Sequence, residues 1–134
     1  MKKDISYGAV VTDKDKRFLL VHHASGNHWD HPKGHPEKNE SPINCAEREI
    51  AEEAGISVNF IDGFAEKTGW ILPDGRPKEV TYFLAVKTGF SAESGPSGEI
   101  LGTIWLPYSE ALKKITYEQG REILNKAAAF LGII

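Results

Sequence analysis

Residues 34–56 read GHPEKNESPINCAEREIAEEAGI, and the helix predicted in this stretch organises the rest of the chain. Ser41 followed by Pro42 predicts a helix start, because serine is a favourable N-cap and proline is favourable at the first helical position. Gly55 suits the left-handed position that ends a helix. At about 100° per residue, one face of this helix is apolar and is predicted to be buried, and it comprises Ile43, Ala46, Ile50 and Ala54.

Three glutamates of this helix, Glu49, Glu52 and Glu53, lie at spacings i, i+3 and i+4, on a stripe beside the apolar face. A run of glutamates commonly marks a solvated face, since glutamate is a good helix former. Here the glutamates are like-charge neighbours, and the pair Glu49–Glu53 costs about 0.2–0.5 kcal/mol in an isolated helix. The spacing therefore leaves two interpretations open, a solvated face and a cation site. In a cation site, carboxylate oxygens would favour Mg²⁺ or Mn²⁺.

The remainder of the chain predicts strands on both sides of this helix. Runs rich in apolar and β-branched residues predict five strands, at 6–12, 17–23, 60–72, 78–87 and 101–106. Two more helices are predicted at 109–115 and 117–131, the second with Leu124, Ala127, Ala128 and Leu131 facing inward. Glycine- and serine-rich residues 88–98 predict an exposed, mobile loop. The order predicts a mixed sheet between helices, α/β or α+β, in a single domain over residues 1–134.

The composition excludes several classes of protein. A net charge of −3, from 19 acidic and 16 basic residues, gives no general attraction to a polyanion, so nucleic acid is not an expected partner. Cys45 is the only cysteine and cannot form an internal disulfide, which fits a reducing cytoplasm. No apolar run is long enough for a signal peptide or a membrane span. We therefore expect a cytoplasmic protein that acts on a small molecule, with its oligomeric state left open.

As a pattern, residues 34–56 resemble the Nudix box. Gly34 is followed after five residues by Glu40, and after seven more by REIAEEAGI, from Arg48 to Ile56, so every specified position matches. The resemblance implies an α/β/α sandwich with a mixed β-sheet. It also implies hydrolysis of a nucleoside diphosphate linked to another group, with Mg²⁺ or Mn²⁺ as cofactor.

The same resemblance implies roles for individual residues. Glu49, Glu52 and Glu53 correspond to the metal ligands of the family. Glu53 corresponds to the ligand that is usually the most sensitive to substitution. Arg48 corresponds to the arginine that orients a box carboxylate through a salt bridge. Glu40 corresponds to an acidic support of the metal site. The carbonyl of Gly34 is a further implied metal contact.

A second resemblance narrows the substrate. Residues 29–35, WDHPKGH, resemble the Trp-x-x-Pro-Lys-Gly-His stretch of asymmetric diadenosine tetraphosphate hydrolases, a branch of the Nudix family. Residues 77–85 are similar to the same branch. This resemblance implies that the protein cleaves dinucleoside polyphosphates, and in particular converts diadenosine tetraphosphate to ATP and AMP. Glu99 corresponds to a glutamate proposed in relatives as general base or extra metal ligand.

The substrate-binding residues implied by this second resemblance are of two kinds. Lys33, His35 and Lys78 would lie at the phosphates, although a lysine taken alone is more often a plain surface residue. Tyr82 would stack on a base, with Trp70 opposite it, although an aromatic residue in a strand is more often part of the core.

Two positions depart from the pattern of the subfamily, which usually has an aliphatic residue at Pro36 and a glycine at Asn39. Proline removes an amide donor and stiffens the loop. Asparagine tolerates the left-handed conformation better than most residues, so the loop can still form.

Three other functions remain as alternatives. A Nudix hydrolase of nucleoside triphosphates or of RNA 5′ triphosphate ends would use the same groups. A non-catalytic nucleotide sensor would share the fold, but such proteins typically lose box glutamates, and none is missing here. The third alternative is zinc binding, because all five histidines lie between residues 22 and 35. Against it, no Cys, Asp or Glu lies at the spacing to them that is typical of a zinc finger.

Overall fold

The structure, a computed structural model, describes residues 2–91 and 99–134. Within these residues the strands are β1 (Asp4–Thr12), β2 (Arg17–His23), β3 (His28–Asp30), β4 (Lys33–Gly34), β5 (Ile56–Ile71), β6 (Pro77–Phe90) and β7 (Ile100–Pro107). The helices are α1 (Pro42–Ala54), α2 (Tyr108–Lys114) and α3 (Glu118–Phe130). The prediction of a mixed sheet with helices is confirmed.

The strands form one sheet with the order β3-β2-β1-β6-β5, in which β4 also pairs with β1 and β7 also pairs with β2. β1 and β6 run parallel, and the other pairs are antiparallel. The parallel register places Asp4 beside Lys78 and Thr12 beside Val86. The first strand of the chain therefore lies at the centre of the sheet, next to a strand that is distant in sequence.

The two faces of the sheet have separate cores, because successive side chains of a strand point to opposite faces. On one face, Val10 packs with Phe18 and Leu84 against residues of α2 and α3, among them Ala111, Ile123, Leu124 and Ala127. On the other face, Val11 and Leu19 pack against Ile50 of α1. The layers are thus helix, sheet and helices, as the box resemblance implied.

Helix α1 begins and ends where the sequence predicts. The Ser41 hydroxyl accepts a hydrogen bond from the Asn44 backbone N–H at 3.2 Å, and Gly55 has a φ of 69° and closes the helix. The predicted buried face is wrong at Ile43, which is 38% exposed. The buried side chains are those of Cys45, Ala46, Ile50, Ala51 and Glu53. The face is rotated because α1 packs against β4 as well as β1 and β5, a contact that helical periodicity does not contain.

Three other expectations can be compared with the structure. β5 begins directly after α1, at Ile56, rather than at residue 60. Residues 88–90 belong to β6 instead of a loop, and residues 92–98 of the predicted loop lie outside the described residues. The inward face of α3 is confirmed for Leu124, Ala127 and Ala128, whereas Leu131 is only partly buried. Among the described residues, no helix is both long and apolar enough to cross a bilayer.

Candidate active site

A cavity of about 620 Å³ lies where α1, β4 and β6 meet the residues just before β7. Its walls contain predicted site residues from four separate parts of the sequence, namely Lys33, Gly34, His35, Glu49, Glu52, Glu53, Lys78 and Glu99. Acidic groups of the helix therefore face basic groups of the strands across one space. The fold brings these residues together, while Arg48, Trp70 and Tyr82 lie outside this cavity.

Two of the α1 carboxylates are crowded and poorly solvated. Glu53 is 8% exposed, and burial, together with the negative charge of Glu49, raises the pKa of Glu53 to about 9. Burial also raises the pKa of Glu49 to about 7, against the opposing charge of Arg48. Among the described residues, the buried Oε1 of Glu53 has no hydrogen-bond partner. In the absence of another cation, these carboxyl groups hold protons at pH values where glutamate is normally ionised.

Arg48 connects the loop before α1 to the helix. Its Nε and Nη2 atoms donate to the two carboxylate oxygens of Glu40 at 2.8 and 2.9 Å, and this bidentate pairing lowers the pKa of Glu40 to about 2. Nη1 donates to both oxygens of Glu52 at 3.2 Å. Nη2 also donates to the carbonyl oxygen of His35 at 2.9 Å. Arg48 therefore links His35 and Glu40 of the loop to Glu52 of the helix, while the orienting role of Arg48 and the supporting role of Glu40 stay predictions.

Gly34 brings the backbone of β4 directly against the Glu49 carboxylate. A Cβ atom at Gly34 would lie 1.5 Å from Oε2 of Glu49, so no larger residue fits while that carboxylate keeps its position. The thiol of Cys45 donates to the Gly34 carbonyl at 3.5 Å. In the loop that leads to α1, Asn39 has a φ of 62°, which is the left-handed conformation expected for a residue that replaces glycine.

The donor set can be tested against a divalent cation. Within residues 2–91 and 99–134, no three His, Cys, Asp or Glu side chains form a ready-made metal site. The side chain of Glu52 is 47% exposed and pairs with Nη1 of Arg48 at 3.2 Å. Glu49 is close enough to Glu53 to raise the pKa of Glu53, and one buried oxygen of Glu53 lacks a partner among the described residues. Hard oxygen donors of this kind fit a hard divalent ion, which would replace the protons.

Three basic side chains line the same cavity. The Lys33 ammonium donates to Asp30 at 3.1 Å. Lys78 is buried, and its ammonium donates to the Ser6 hydroxyl at 2.6 Å. His35 is exposed at the rim. The cavity therefore has donors for the oxygens of a phosphate chain opposite its carboxylates.

A second cavity of about 540 Å³ adjoins the first and shares Ser25, His28 and Lys33 with it. Tyr82 forms part of its wall but is only 2% exposed, with its ring edge-on to His31 at a centroid distance of 5.5 Å. The stacking of Tyr82 on a base therefore stays a prediction from the resemblance. In this structure the Tyr82 ring packs in the core between the sheet and α3.

Two other aromatic residues line this second cavity, Trp70 and Tyr117. Trp70 is partly exposed and lies in register with Lys78. Tyr117 is 51% exposed and comes directly before α3. The sequence analysis missed Tyr117 as a site residue; the available hint was an aromatic residue at the start of an amphipathic helix, outside its buried stripe.

Three of the five histidines have separate environments. His22 stacks on Trp29, with ring centroids 4.5 Å apart. His31 is fully buried, and its Nε2 donates to the Gly120 carbonyl at 3.0 Å. His35 pairs with Asp4. The other two, His23 and His28, stack on each other with ring centroids 4.8 Å apart, and both line the first cavity.

Comparisons with known proteins agree with this geometry. The NUDIX domain family profile matches residues 2–127. An asymmetrical bis(5′-nucleosyl)-tetraphosphatase of Sus scrofa is 34% identical over 118 residues, which cover 85% of this chain and 80% of the relative. The Caenorhabditis elegans protein of the same name is 33% identical over 117 residues, covering 85% and 84%.

A solved structure of a C. elegans Ap4A hydrolase binary complex superposes with a TM-score of 0.82 at 28% identity, covering 98% of this chain and 99% of the other. Nudix hydrolases generally use divalent metals. The family match spans nearly the whole chain, and the box residues Gly34, Glu49, Glu52 and Glu53 line one cavity. The chain is therefore a member of the Nudix hydrolase family.

Proposed function

We propose that this Nudix hydrolase cleaves dinucleoside polyphosphates, converting diadenosine tetraphosphate to ATP and AMP by attack of water on a bridging phosphate anhydride. The main support is the pair of adjoining cavities that share Lys33. The first provides acidic and basic groups for a phosphate chain, and the second provides the aromatic side chains of Trp70 and Tyr117 for a base. A nucleoside joined to a long phosphate chain would extend through both.

The named activity of the pig and nematode relatives supports the same substrate, because this chain covers at least 80% of each of them. We propose Mg²⁺ or Mn²⁺ as the cofactor, held by Glu49, Glu53 and the Gly34 carbonyl, with Glu52 as a ligand when it turns away from Arg48. Such an ion neutralises phosphate charge and makes water more acidic.

The protein's own groups would then position the substrate, which is the larger part of catalysis in phosphoryl transfer. Lys33, at the junction of the two cavities, would bind a phosphate next to the nucleoside. Lys78 and His35 would bind phosphates further along the chain. Glu99, exposed at the rim of the first cavity, would accept the proton of the attacking water or bind a second cation.

We also propose that residues 1–134 act as one domain in the cytoplasm. The parallel pairing of β1 with β6 connects the early and late parts of the chain in one sheet. Cys45 is buried and unpaired, which suits a compartment where thiols stay reduced.

The experiment is to incubate the purified chain with diadenosine tetraphosphate and Mg²⁺ and to separate the nucleotides by chromatography. Equal amounts of ATP and AMP are expected. ATP, RNA with a 5′ triphosphate and diadenosine triphosphate complete the panel. A higher kcat/KM for ATP or for the RNA than for diadenosine tetraphosphate would show that the proposed substrate is wrong and would favour the alternative. Tight nucleotide binding without turnover in either metal would instead indicate a sensor.

A further inference from the structure

The carboxylate of Asp4, in β1, joins three basic side chains at the edge of the 620 Å³ cavity. Its Oδ1 atom accepts hydrogen bonds from Nε2 of His35 at 2.7 Å and from Nζ of Lys78 at 3.0 Å. Its Oδ2 atom lies 3.7 Å from Nη1 of Arg76. Two of these partners, His35 and Lys78, line the cavity, whereas Asp4 itself stands behind them.

The close approach of Lys78 and His35 involves a shared acceptor. Nζ of Lys78 lies 3.5 Å from Nε2 of His35. An ionised carboxylate only accepts hydrogen bonds, so the short contact with Asp4 places the hydrogen on Nε2 of His35. Lys78 therefore cannot donate to that nitrogen, and the two N–H groups face each other unfavourably. Asp4 provides the shared acceptor that makes the arrangement favourable.

The environment of Asp4 is consistent with a charged, fixed group. Burial acts to raise the pKa of Asp4, but the hydrogen bonds from Lys78 and His35 outweigh it, and the net pKa is lowered. The register of the sheet sets Asp4 directly beside Lys78. The Ser6 hydroxyl accepts from the same ammonium at 2.6 Å. Lys78 is thus held from two positions on β1, unlike a lysine that can follow a phosphate freely.

We propose that Asp4 is a positioning residue that makes the enzyme discriminate between phosphate chains of different length. Held by Asp4 and Ser6, the Lys78 ammonium keeps its third N–H for a phosphate at a fixed place in the cavity wall, with the His35 ring fixed beside it. A phosphate chain must then reach from the carboxylates to that N–H, and a chain one phosphate shorter meets it poorly. This inference rests on the proposed function, because it assigns Lys78 and His35 to the substrate.

A matched control lies at the next position of β6. Glu79 also joins two lysines, Lys3 at 3.0 Å and Lys67 at 3.3 Å, but none of these three residues lines the cavity. Glu79→Gln therefore removes a carboxylate with two ion pairs from the same part of the sheet and leaves the contacts of Asp4 with Lys78 and His35 in place.

The test is the ratio of kcat/KM for diadenosine tetraphosphate to kcat/KM for diadenosine triphosphate. Asp4→Asn should lower this ratio about fivefold or more, and Asp4→Glu, which keeps the charge, should lower it less. Ser6→Ala should shift it in the same direction as Asp4→Asn and serves as a second variant if Asp4→Asn folds poorly. Glu79→Gln should leave the ratio unchanged. An unchanged ratio in Asp4→Asn and Ser6→Ala overturns the inference, even where both rates fall together.

The same measurements separate this inference from the proposed function. If the unaltered chain hydrolyses nucleoside triphosphates and neither dinucleotide, the proposed substrate is wrong. The effect of Asp4→Asn on the ratio of kcat/KM for a nucleoside triphosphate to kcat/KM for the matching diphosphate then tests the role of Asp4. A chain that cleaves none of these nucleotides would overturn both.

Discussion

Replacing Glu53 by glutamine should stabilise the metal-free protein at alkaline pH while removing most of its activity. The pKa of Glu53 is raised to about 9, from an ordinary value of 4.5. A carboxyl group with a raised pKa binds its proton more tightly in the folded state than in the unfolded state. Its contribution to stability is therefore fully present below pH 4.5 and is lost as the pH rises towards 9.

The size of this effect follows from the same values. At about pH 8, the loss amounts to about 1.4 kcal/mol for each pH unit above the ordinary pKa, or on the order of 5 kcal/mol as an upper bound. Glutamine has nearly the same shape and does not titrate. Because its amide also needs hydrogen-bond partners, we expect it to recover about 2 kcal/mol of the loss.

The assay is urea unfolding in EDTA at about pH 5.5 and about pH 8, with Glu47→Gln as control. Glu47 lies on the same helix and is exposed. The free energy of unfolding of Glu53→Gln, relative to the unaltered chain, should rise by about 3 kcal/mol between the two pH values, because the cost of burying the amide is the same at both and cancels. Glu47→Gln should show no such rise. An equal difference at both pH values would mean that Glu53 does not hold a proton in the folded protein.

The activity of the same variant completes the prediction. With Mg²⁺ present, Glu53→Gln should lower kcat about a thousandfold or more, because it removes a charged oxygen that we propose as a metal ligand. A gain in stability together with a loss of turnover identifies a functional carboxylate, since a structural residue would lose both. If stability and turnover fall together, Glu53 is part of the scaffold rather than of the metal site.

Three further predictions test the site. Gly34→Ala should lower kcat about a hundredfold with little change in the free energy of unfolding, because its Cβ displaces the flexible end of Glu49. The control is Gly102→Ala, which has no atom within 4 Å of the added Cβ, and a normal kcat in Gly34→Ala would contradict the geometry. Mg²⁺ should raise Tm more at about pH 8 than at about pH 6, since the ion competes with protons for the carboxylates. Thermal scans with Mg²⁺ and with EDTA at each pH measure the rise in Tm, and a larger rise at the lower pH would contradict the prediction. Tyr117→Ala should raise KM about tenfold with kcat nearly unchanged, as expected for loss of base stacking. The control is Phe90→Ala, which should leave KM unchanged because Phe90 is exposed and lies outside both cavities. The same KM in both variants would exclude Tyr117 from the base site.

Features that depend on neighbours in sequence could be predicted without the structure. The limits of α1 follow from Ser41 and Gly55, whose preferences act within one turn of the chain. The grouping of Glu49 with Glu53 also follows from helical spacing, and the box motif assigns them a function. The exposure of Glu52 did not follow, because it depends on Arg48, which also binds the loop at Glu40.

Features that depend on distant pairing were not accessible in this way. Tyr82 is buried because α3 covers its side of the sheet, and alternation along a strand does not say which face a helix will cover. The contact of Asp4 with Lys78 joins residues 74 positions apart through a parallel register that nothing local determines. Tyr117 likewise reaches the second cavity only because α3 packs beside the strand that contains Trp70.

The parallel pairing of β1 with β6 also determines when, during synthesis, the protein can first act on a nucleotide. A nascent chain that ends just after α1 already contains Glu49 and Glu53, but it lacks β6, the strand next to β1 in the sheet, and with it Lys78. Pairing between segments so far apart is slow, because a long loop must close before contacts compensate for it. A nascent chain therefore needs β6, which ends at Phe90, before the sheet beneath α1 is complete, and a product that ends before residue 78 would contain Glu49 and Glu53 without the Lys78 ammonium.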